Sequence, residues 1–251
     1  YLVDSDSFEA AEGLERPLVM NFANARYPGG GFSNGAQAQE ESLCRCSTLY
    51  ESLSSKEAQE MYCYNNQNTS PLGSDYMLLS PNVCVFRDHM NNLLLEPYLV
   101  SVFTIPAPNK NGRAKYVEQM EIDVVMKERL RKFLMTAARN NYSTLVLGAW
   151  GCGAFGHDAH TVAKYFYDLF FEEKFCQFFE TVVFAILNSK DKINDFAEVF
   201  GDEIENCTKS NDNKYNAKRY YKSEFDYPVC NHVLEVDSSN IGYTLGITHD
   251  G

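Results

Sequence analysis

Residues 144–171 read TLVLGAWGCGAFGHDAHTVAKYFYDLFF, and their order decides the fold class. Thr144–Leu147 is a short apolar run with the character of a buried strand. It leads straight into a loop that holds Gly148, Gly151, Gly153 and Gly156. A helix is expected at once afterwards, from Asp158 to Phe171, with Asp158 as its cap. Strand, glycine loop and helix in succession form the building unit of α/β folds. Gly151–Gly156 also satisfies G-x-G-x-x-G. Glycines in such a loop let successive N–H groups face an anion, and the helix N-terminus adds a favourable dipole.

The same alternation extends outward on both sides. Leu18–Phe22 reads as a strand running toward the triplet Gly29, Gly30 and Gly31. Ala36–Leu53 reads as one helix with Gln39, Glu40 and Glu41 on its first turns. Tyr76–Ser80 and Val83–Phe86 are strand candidates interrupted by Pro81. Tyr98–Ile105, rich in β-branched and aromatic residues, is a strand stopped by Pro106 and Pro108. Residues 114–140 read as one long amphipathic helix, Thr181–Leu187 as a buried strand and Lys190–Phe200 as a helix. The expected architecture is a layered α/β fold around a largely parallel sheet.

From Gly201 the composition changes. Residues 206–222 are polar and weakly patterned, while Gly242–Ile247 regains a strand-like pattern. The domain expectation is therefore a catalytic unit over residues 1–200 and an appendage over 201–251, part loop and part edge strand. The appendage is expected to lie on the surface and add little to the core.

Composition narrows the function. With 45% apolar and 14% aromatic residues among 251, the chain is globular and can bury a good core. No apolar run approaches a membrane span, and no charged-then-apolar leader opens the chain. The opening at Tyr1 without a methionine reads as a trimmed start. Eight cysteines in so long a chain are expected as reduced thiols of an intracellular protein, cytoplasmic, or nuclear in a eukaryote. Cys44-Arg45-Cys46 lacks the spacing of a zinc pair. A net charge of −12 argues against a broad basic face for naked nucleic acid, though backbone N–H groups can hold phosphate without lysine.

Two glycine loops and two adjacent acids point to a nucleotide sugar attacked at a glycosidic carbon. That chemistry passes through an oxocarbenium-like state and needs an acid to protonate the leaving oxygen. Adjacent helical residues diverge by about 100°, so Glu40 and Glu41 have different tasks. The plainer alternatives are a solvated acid pair favoured by the helix dipole and a merely tight βα turn. A nicotinamide-dependent oxidoreductase is disfavoured, because the loop comes late and the next strand ends in Leu187-Asn188 without an acid for ribose. No Gly-Lys-Ser/Thr is present for a Walker loop. His157 and His160 share a helical face, but the preferred reading is ordinary surface histidines, not metal ligands.

The combination resembles poly(ADP-ribose) glycohydrolases of the microbial type. NFANARYPGGGFSNGAQAQEESLCRCSTLY, SPNVCVFRD, VSVFTIPAPN and VLGAWGCGAFGHD carry the resemblance, in collinear order from Tyr1 to about Lys190. It implies a macrodomain, a three-layer α/β/α sandwich with a mixed, largely parallel sheet, that binds ADP-ribose and cleaves the ribose–ribose O-glycosidic bond. By the same resemblance Glu41 is the catalytic acid and Glu40 orients the ribose. Gly29, Gly30 and Gly31 lie against the scissile ribose, Gln39 belongs to the same signature, and Asn24 is a ribose hydroxyl partner. Gly151, Cys152, Gly153, Ala154, Phe155 and Gly156 wrap the diphosphate, with Phe155 packed on the proximal ribose. Read without the family, Phe155 is equally a loop anchor in the core.

The implied substrates are poly(ADP-ribose) or ADP-ribosylated proteins, and the implied product is ADP-ribose, released from chain ends. No metal or redox cofactor, no direct nucleic acid and no membrane partner are implied, and a monomer is expected. Two other readings remain open: removal of single ADP-ribose units from protein side chains, and a macrodomain that only binds ADP-ribose. No tyrosine is singled out for adenine stacking.

Overall fold

Along Leu18–Met20 the side chains alternate between two separate apolar clusters. Leu18 and Met20 join one and Val19 the other. A strand with period-two alternation between two buried faces must lie between two layers of helices. The computed structural model, which describes residues 1–207 and 234–236, has that form.

In chain order the elements are β1 (Leu2–Val3), α1 (Ser7–Ala11), β2 (Leu18–Ala23), α2 (Gln39–Cys46), α3 (Leu49–Leu53) and α4 (Gln59–Gln67). The antiparallel pair β3 (Met77–Arg87) and β4 (Leu93–Pro106) follows, then α5 (Gln119–Arg139), β5 (Thr144–Leu147) and α6 (Ala159–Tyr167). The chain continues through β6 (Thr181–Ala185), α7 (Lys190–Phe200), β7 (Asn206–Cys207) and β8 (Leu234–Val236). Among the described residues the sheet order is β7-β1-β6-β5-β2-β4-β3-β8. Only the pairings of β3 with β4 and with β8 are antiparallel. Phe8, Leu43, Leu49 and Met61 place α1 to α4 on one face. Leu130, Phe133, Phe166 and Phe196 place α5 to α7 on the other. The expected three-layer α/β/α sandwich with a mixed, largely parallel sheet is the observed fold.

Several boundaries differ from expectation, each for a local reason. The single helix expected over 36–53 is two, because Ser47 is extended (φ −149°, ψ 178°) and bridges to Val85. The Ser47 hydroxyl donates to Leu43 O and accepts from Leu49 N–H, so it ends one helix and opens the next. Pro81 does not interrupt a strand. β3 runs through it by a register shift between Ser80 and Val83, with Asn82 left-handed at φ 56°. Pro lacks a donor for the ladder, and a bulge is where a strand tolerates it. The helix expected from 114 starts at Gln119, after turns at 110–116, and the strand expected to reach Leu187 ends at Ala185.

Helix α4 was not anticipated. Residues 206–207 pair with β1 and residues 234–236 with β3, so segments after Gly201 reach both edges of the sheet. The strand-like stretch 242–247 and most of 206–222 lie outside the described residues. No helix among the described residues is long and apolar enough to cross a membrane.

One ion pair ties the loop before β3 to the end of β4. Arg129, only 2% exposed, donates to Asp75 Oδ1 (2.8 Å), Pro106 O (3.0 Å) and Leu72 O (2.7 Å). Burial alone would raise the Asp75 carboxyl, but the hydrogen bonds from Arg129 and Lys132 hold it below its ordinary value. Removing one partner of a buried pair strands the rest and costs about 3–5 kcal/mol. Arg129→Met should therefore lower the melting temperature by roughly 10 °C. An unchanged thermal scan would show that this clamp does not hold the β4 end.

Candidate active site

The parallel strands β2, β4, β5 and β6 end at one edge of the sheet, and a cleft of about 440 Å³ opens there. Carboxyl-end crevices are where open α/β sheets take their ligands. The floor and walls come from the starts of α1 and α2, from the loop after β5 and from residues 185–192.

Helix α2 begins in the cleft. Its cap residue, Ala38, offers no side-chain acceptor. Gln39 instead anchors the turn to β2: its Oε1 accepts from Phe22 N–H (2.9 Å), and its Nε2 donates to Met20 O (2.8 Å) and Ser7 Oγ (3.0 Å). Gln39 lines the cleft, yet its amide is committed to the protein.

The two acids that follow are buried, Glu40 at 3% and Glu41 at 8% exposure, so they are not a solvated pair. Glu40 accepts from Asn24 N–H on Oε2 (2.7 Å) and from Asn21 Nδ2 on Oε1 (3.3 Å). Burial pushes its carboxyl up to about 8 against those hydrogen bonds, with the neighbouring Glu41 charge adding to the rise. Glu41 accepts from Gly31 N–H on Oε1 (2.8 Å), while its buried Oε2 has no hydrogen-bond partner among the described residues.

The glycine triplet packs on these carboxylates. At Gly30 (φ +58°) a Cβ would stand 2.4 Å from Glu41 Oε1 and 3.1 Å from Glu40 Oε2. No other residue could occupy that position without displacing both acids. Gly29 packs on Tyr50 and Cys44 instead. Asn24 lines the cleft, but its Oδ1 already accepts from Arg26 and Tyr27 N–H.

Across the cleft, the loop after β5 is braced from behind. Trp150, fully buried, donates from Nε1 to Ile105 O (2.9 Å). Lys110 N–H bonds Phe155 O (3.0 Å), and Asn111 Nδ2 bonds Ala154 O (2.9 Å). His157 is buried, not on the surface as expected, and its Nε2 lies 2.7 Å from Pro108 O. A carbonyl only accepts, so that nitrogen carries a proton; burial holds the ring below its ordinary pKa. His157 is thus a brace, whereas His160 stays exposed.

Among the described residues the N–H groups of Gly151, Gly153, Ala154 and Phe155 have no acceptor, whereas those of Cys152 and Gly156 close turns within the loop. Gly151, Gly153, Ala154 and Phe155 line the cleft; Cys152, Gly156 and the triplet are not among its lining residues. Phe155 also packs on the core, so it is anchor and lining at once. Free N–H groups turned to one loop form an anion cradle.

Sequence reasoning missed Asn21 and Thr104, both fully buried, and Ser5–Ser7, Ser189 and Lys192 on the cleft. A polar residue inside an apolar strand, as in LVMNFA, was the available signal for Asn21.

Fold and cleft together define a macrodomain-like protein. A family model described as microbial-type PARG, catalytic domain (PARG being poly(ADP-ribose) glycohydrolase), matches residues 2–88. The glycohydrolase of Deinococcus radiodurans in complex with ADP-ribose is 39% identical, with a TM-score of 0.75 over 80% of this chain and 83% of that one. The Thermomonospora curvata enzyme is 38% identical, with a TM-score of 0.75 over 79% and 75%. Its form bound to the inhibitor ADP-HPD is 37% identical, with a TM-score of 0.72 over 78% and 77%. No curated protein sequence matches. The chain belongs to the microbial-type poly(ADP-ribose) glycohydrolase family.

A raised folded-state pKa means that Glu40 supports the fold at low pH, with that support lost as pH climbs toward about 8. Glu40→Gln cannot ionise and escapes the loss. Its melting temperature relative to wild type should therefore climb by on the order of 5 °C between pH 5 and pH 9. Parallel curves would place Glu40 in a more solvated setting.

Proposed function

We propose that the chain hydrolyses the ribose–ribose O-glycosidic bond of poly(ADP-ribose) and releases ADP-ribose from chain ends, with Glu41 as general acid. One observation carries the assignment of the acid. Glu41 Oε2 is a buried carboxyl oxygen on the cleft with no partner, beside a Glu40 whose two oxygens are both engaged. A proton donor must reach the leaving oxygen, and only an uncommitted oxygen can do so.

In this reading the diphosphate rests on the N–H groups of Gly151, Gly153, Ala154 and Phe155, which fixes the scissile ribose at the α2 end of the cleft. Glu41 protonates the leaving ribose oxygen as the C–O bond breaks. The oxocarbenium-like charge that develops is met by the negative charge left on the acid pair, and water completes the hydrolysis. Glu40, held by Asn24 N–H, orients the ribose. Relatives captured with ADP-ribose and with ADP-HPD support the ligand class. Six free cysteines among the described residues fit a reducing compartment.

Glu41→Gln keeps the size and the Gly31 hydrogen bond but has no acidic proton. Incubation with labelled poly(ADP-ribose), resolved by chain length beside a mono-ADP-ribosylated protein, should show turnover lower by ~10²–10⁴-fold. Short products accumulating from chain ends are expected from the wild type. A variant within a few-fold of wild type would overturn the acid assignment, and loss of label from the mono-modified protein alone would overturn the substrate.

Gly153 tests the cradle separately. Gly153 lines the cleft and a Cβ there meets nothing within 4 Å, so a side chain can be added without disturbing the fold. Gly153→Val should keep the wild-type melting temperature and lose the upward shift that millimolar ADP-ribose gives the intact protein. A retained shift would remove the loop from the binding site.

A further inference from the structure

Asn21 sits on β2, fully buried, between the acid pair and β4. Its Nδ2 donates to Glu40 Oε1 (3.3 Å) and to Thr104 Oγ1 (3.2 Å), while its Oδ1 is buried with no partner. An orphaned buried carbonyl is costly, and a strand residue facing a helix could as well be leucine. A carboxamide has another property: a half-turn about its last torsion exchanges oxygen and nitrogen in place.

In the present orientation Asn21 suits a charged Glu40, because it donates. In the turned orientation its oxygen would face Glu40 Oε1 and Thr104 Oγ1, and a neutral Glu40 or a threonine hydroxyl can donate to it. Glu40 Oε2 is fixed by Asn24 N–H in either case, which leaves Oε1 as the oxygen that gains or loses the proton.

We propose that Asn21 is a positioning residue that follows Glu40 between its charged and neutral forms, turning its carboxamide from donor to acceptor. Thr104 follows by changing from acceptor to donor. No atoms are exchanged with solvent beyond the single Glu40 proton. The inference rests on the glycohydrolase reading for its catalytic meaning: it lets the acid pair change its proton count without moving the ribose.

The groups around Glu40 limit what else can titrate there. Glu41 and Cys44 face it from α2 and Tyr62 from α4. Burial pushes the Cys44 and Tyr62 protons far above the working range, with the Glu40 charge adding to both. Arg45 turns to Ala36 O at 2.7 Å. Among these groups Glu40 is the one brought toward neutrality.

The test is a cycle of four full-length proteins: wild type, Asn21→Leu, Glu40→Gln and the double variant, melted from pH 5 to pH 9. Leucine removes the amide, and the bond to the charged form is the stronger one lost. Asn21→Leu should therefore lose roughly 3–5 °C more at pH 9 than at pH 5. In the Glu40→Gln background its cost should be the same at every pH. A cost of Asn21→Leu that is flat with pH in both backgrounds means packing alone and overturns the proposal.

Activity supplies the second arm, on short poly(ADP-ribose). The alkaline limb of kcat should move up by about one pH unit in Asn21→Leu, with ADP-ribose affinity within a few-fold. If Asn21→Leu does not fold, Asn21→Asp, of nearly the same size, takes its place. Its added buried carboxylate should move the limb further in the same direction, and an unmoved limb overturns the proposal. Wild type inactive on poly(ADP-ribose), with the stability cycle as expected, would instead sink the functional reading and leave the Asn21–Glu40 coupling standing.

Discussion

Two carboxylates buried side by side on the first turn of one helix are the constraint on which the cleft depends. Their charges repel, burial penalises both, and their helix has no capping side chain at its start. The protein meets this with backbone. Asn24 N–H takes one oxygen, Gly31 N–H another, and Gln39 pins the turn to β2 through a peptide on each side of it. Gly30 is the consequence most sharply drawn, since the chain must pass where any side chain would strike both acids.

The opposite wall answers a different electrostatic problem. In the proposed reading a chain of net charge −12 has to bring a dianionic diphosphate near two acids. The donors proposed for it are peptide dipoles held from behind by Trp150, Lys110, Asn111 and His157. Donors fixed in this way need no reorganisation when a charge arrives, and they carry no flexible side chain to be ordered. In that reading, acid at one end of the cleft and donors at the other give the ligand one direction to lie in.

The sheet and most helices were legible because their signals are local. Apolar runs marked β2, β5 and β6, and Asp158 caps the helix it was expected to cap. What escaped depends on contacts distant in sequence. Ser47 breaks a helix because Val85 offers it a strand partner, and Pro81 is tolerated because a bulge lies there. Asn21 meets Thr104 across 83 residues, which no window along the chain can register. His157 looked like a surface residue of a helix start, and only the arrival of Pro108 makes it part of the interior. Glu40 and Glu41 stood out in the motif, but that they are buried, and that only one keeps a free oxygen, required the packed structure.

The two-residue strand at the start of the chain has a temporal consequence. Tyr1 N–H donates to Val182 O, 181 positions away, and Leu2 and Val3 pair with Phe184 and Ala185. Ser5 to Ser7, which line the cleft, hang directly from that strand. During synthesis residues 1–7 therefore wait for β6, far along the chain, before they can take their place. Such distant pairing is slow to form, because the loop must close before the contact rewards it. The acid pair and its glycines, all within residues 21–41, can assemble on β2 and β4 much earlier. The wall at Ser5–Ser7 therefore closes only once β6 is in place, together with the wall from residues 186–192 that follows it.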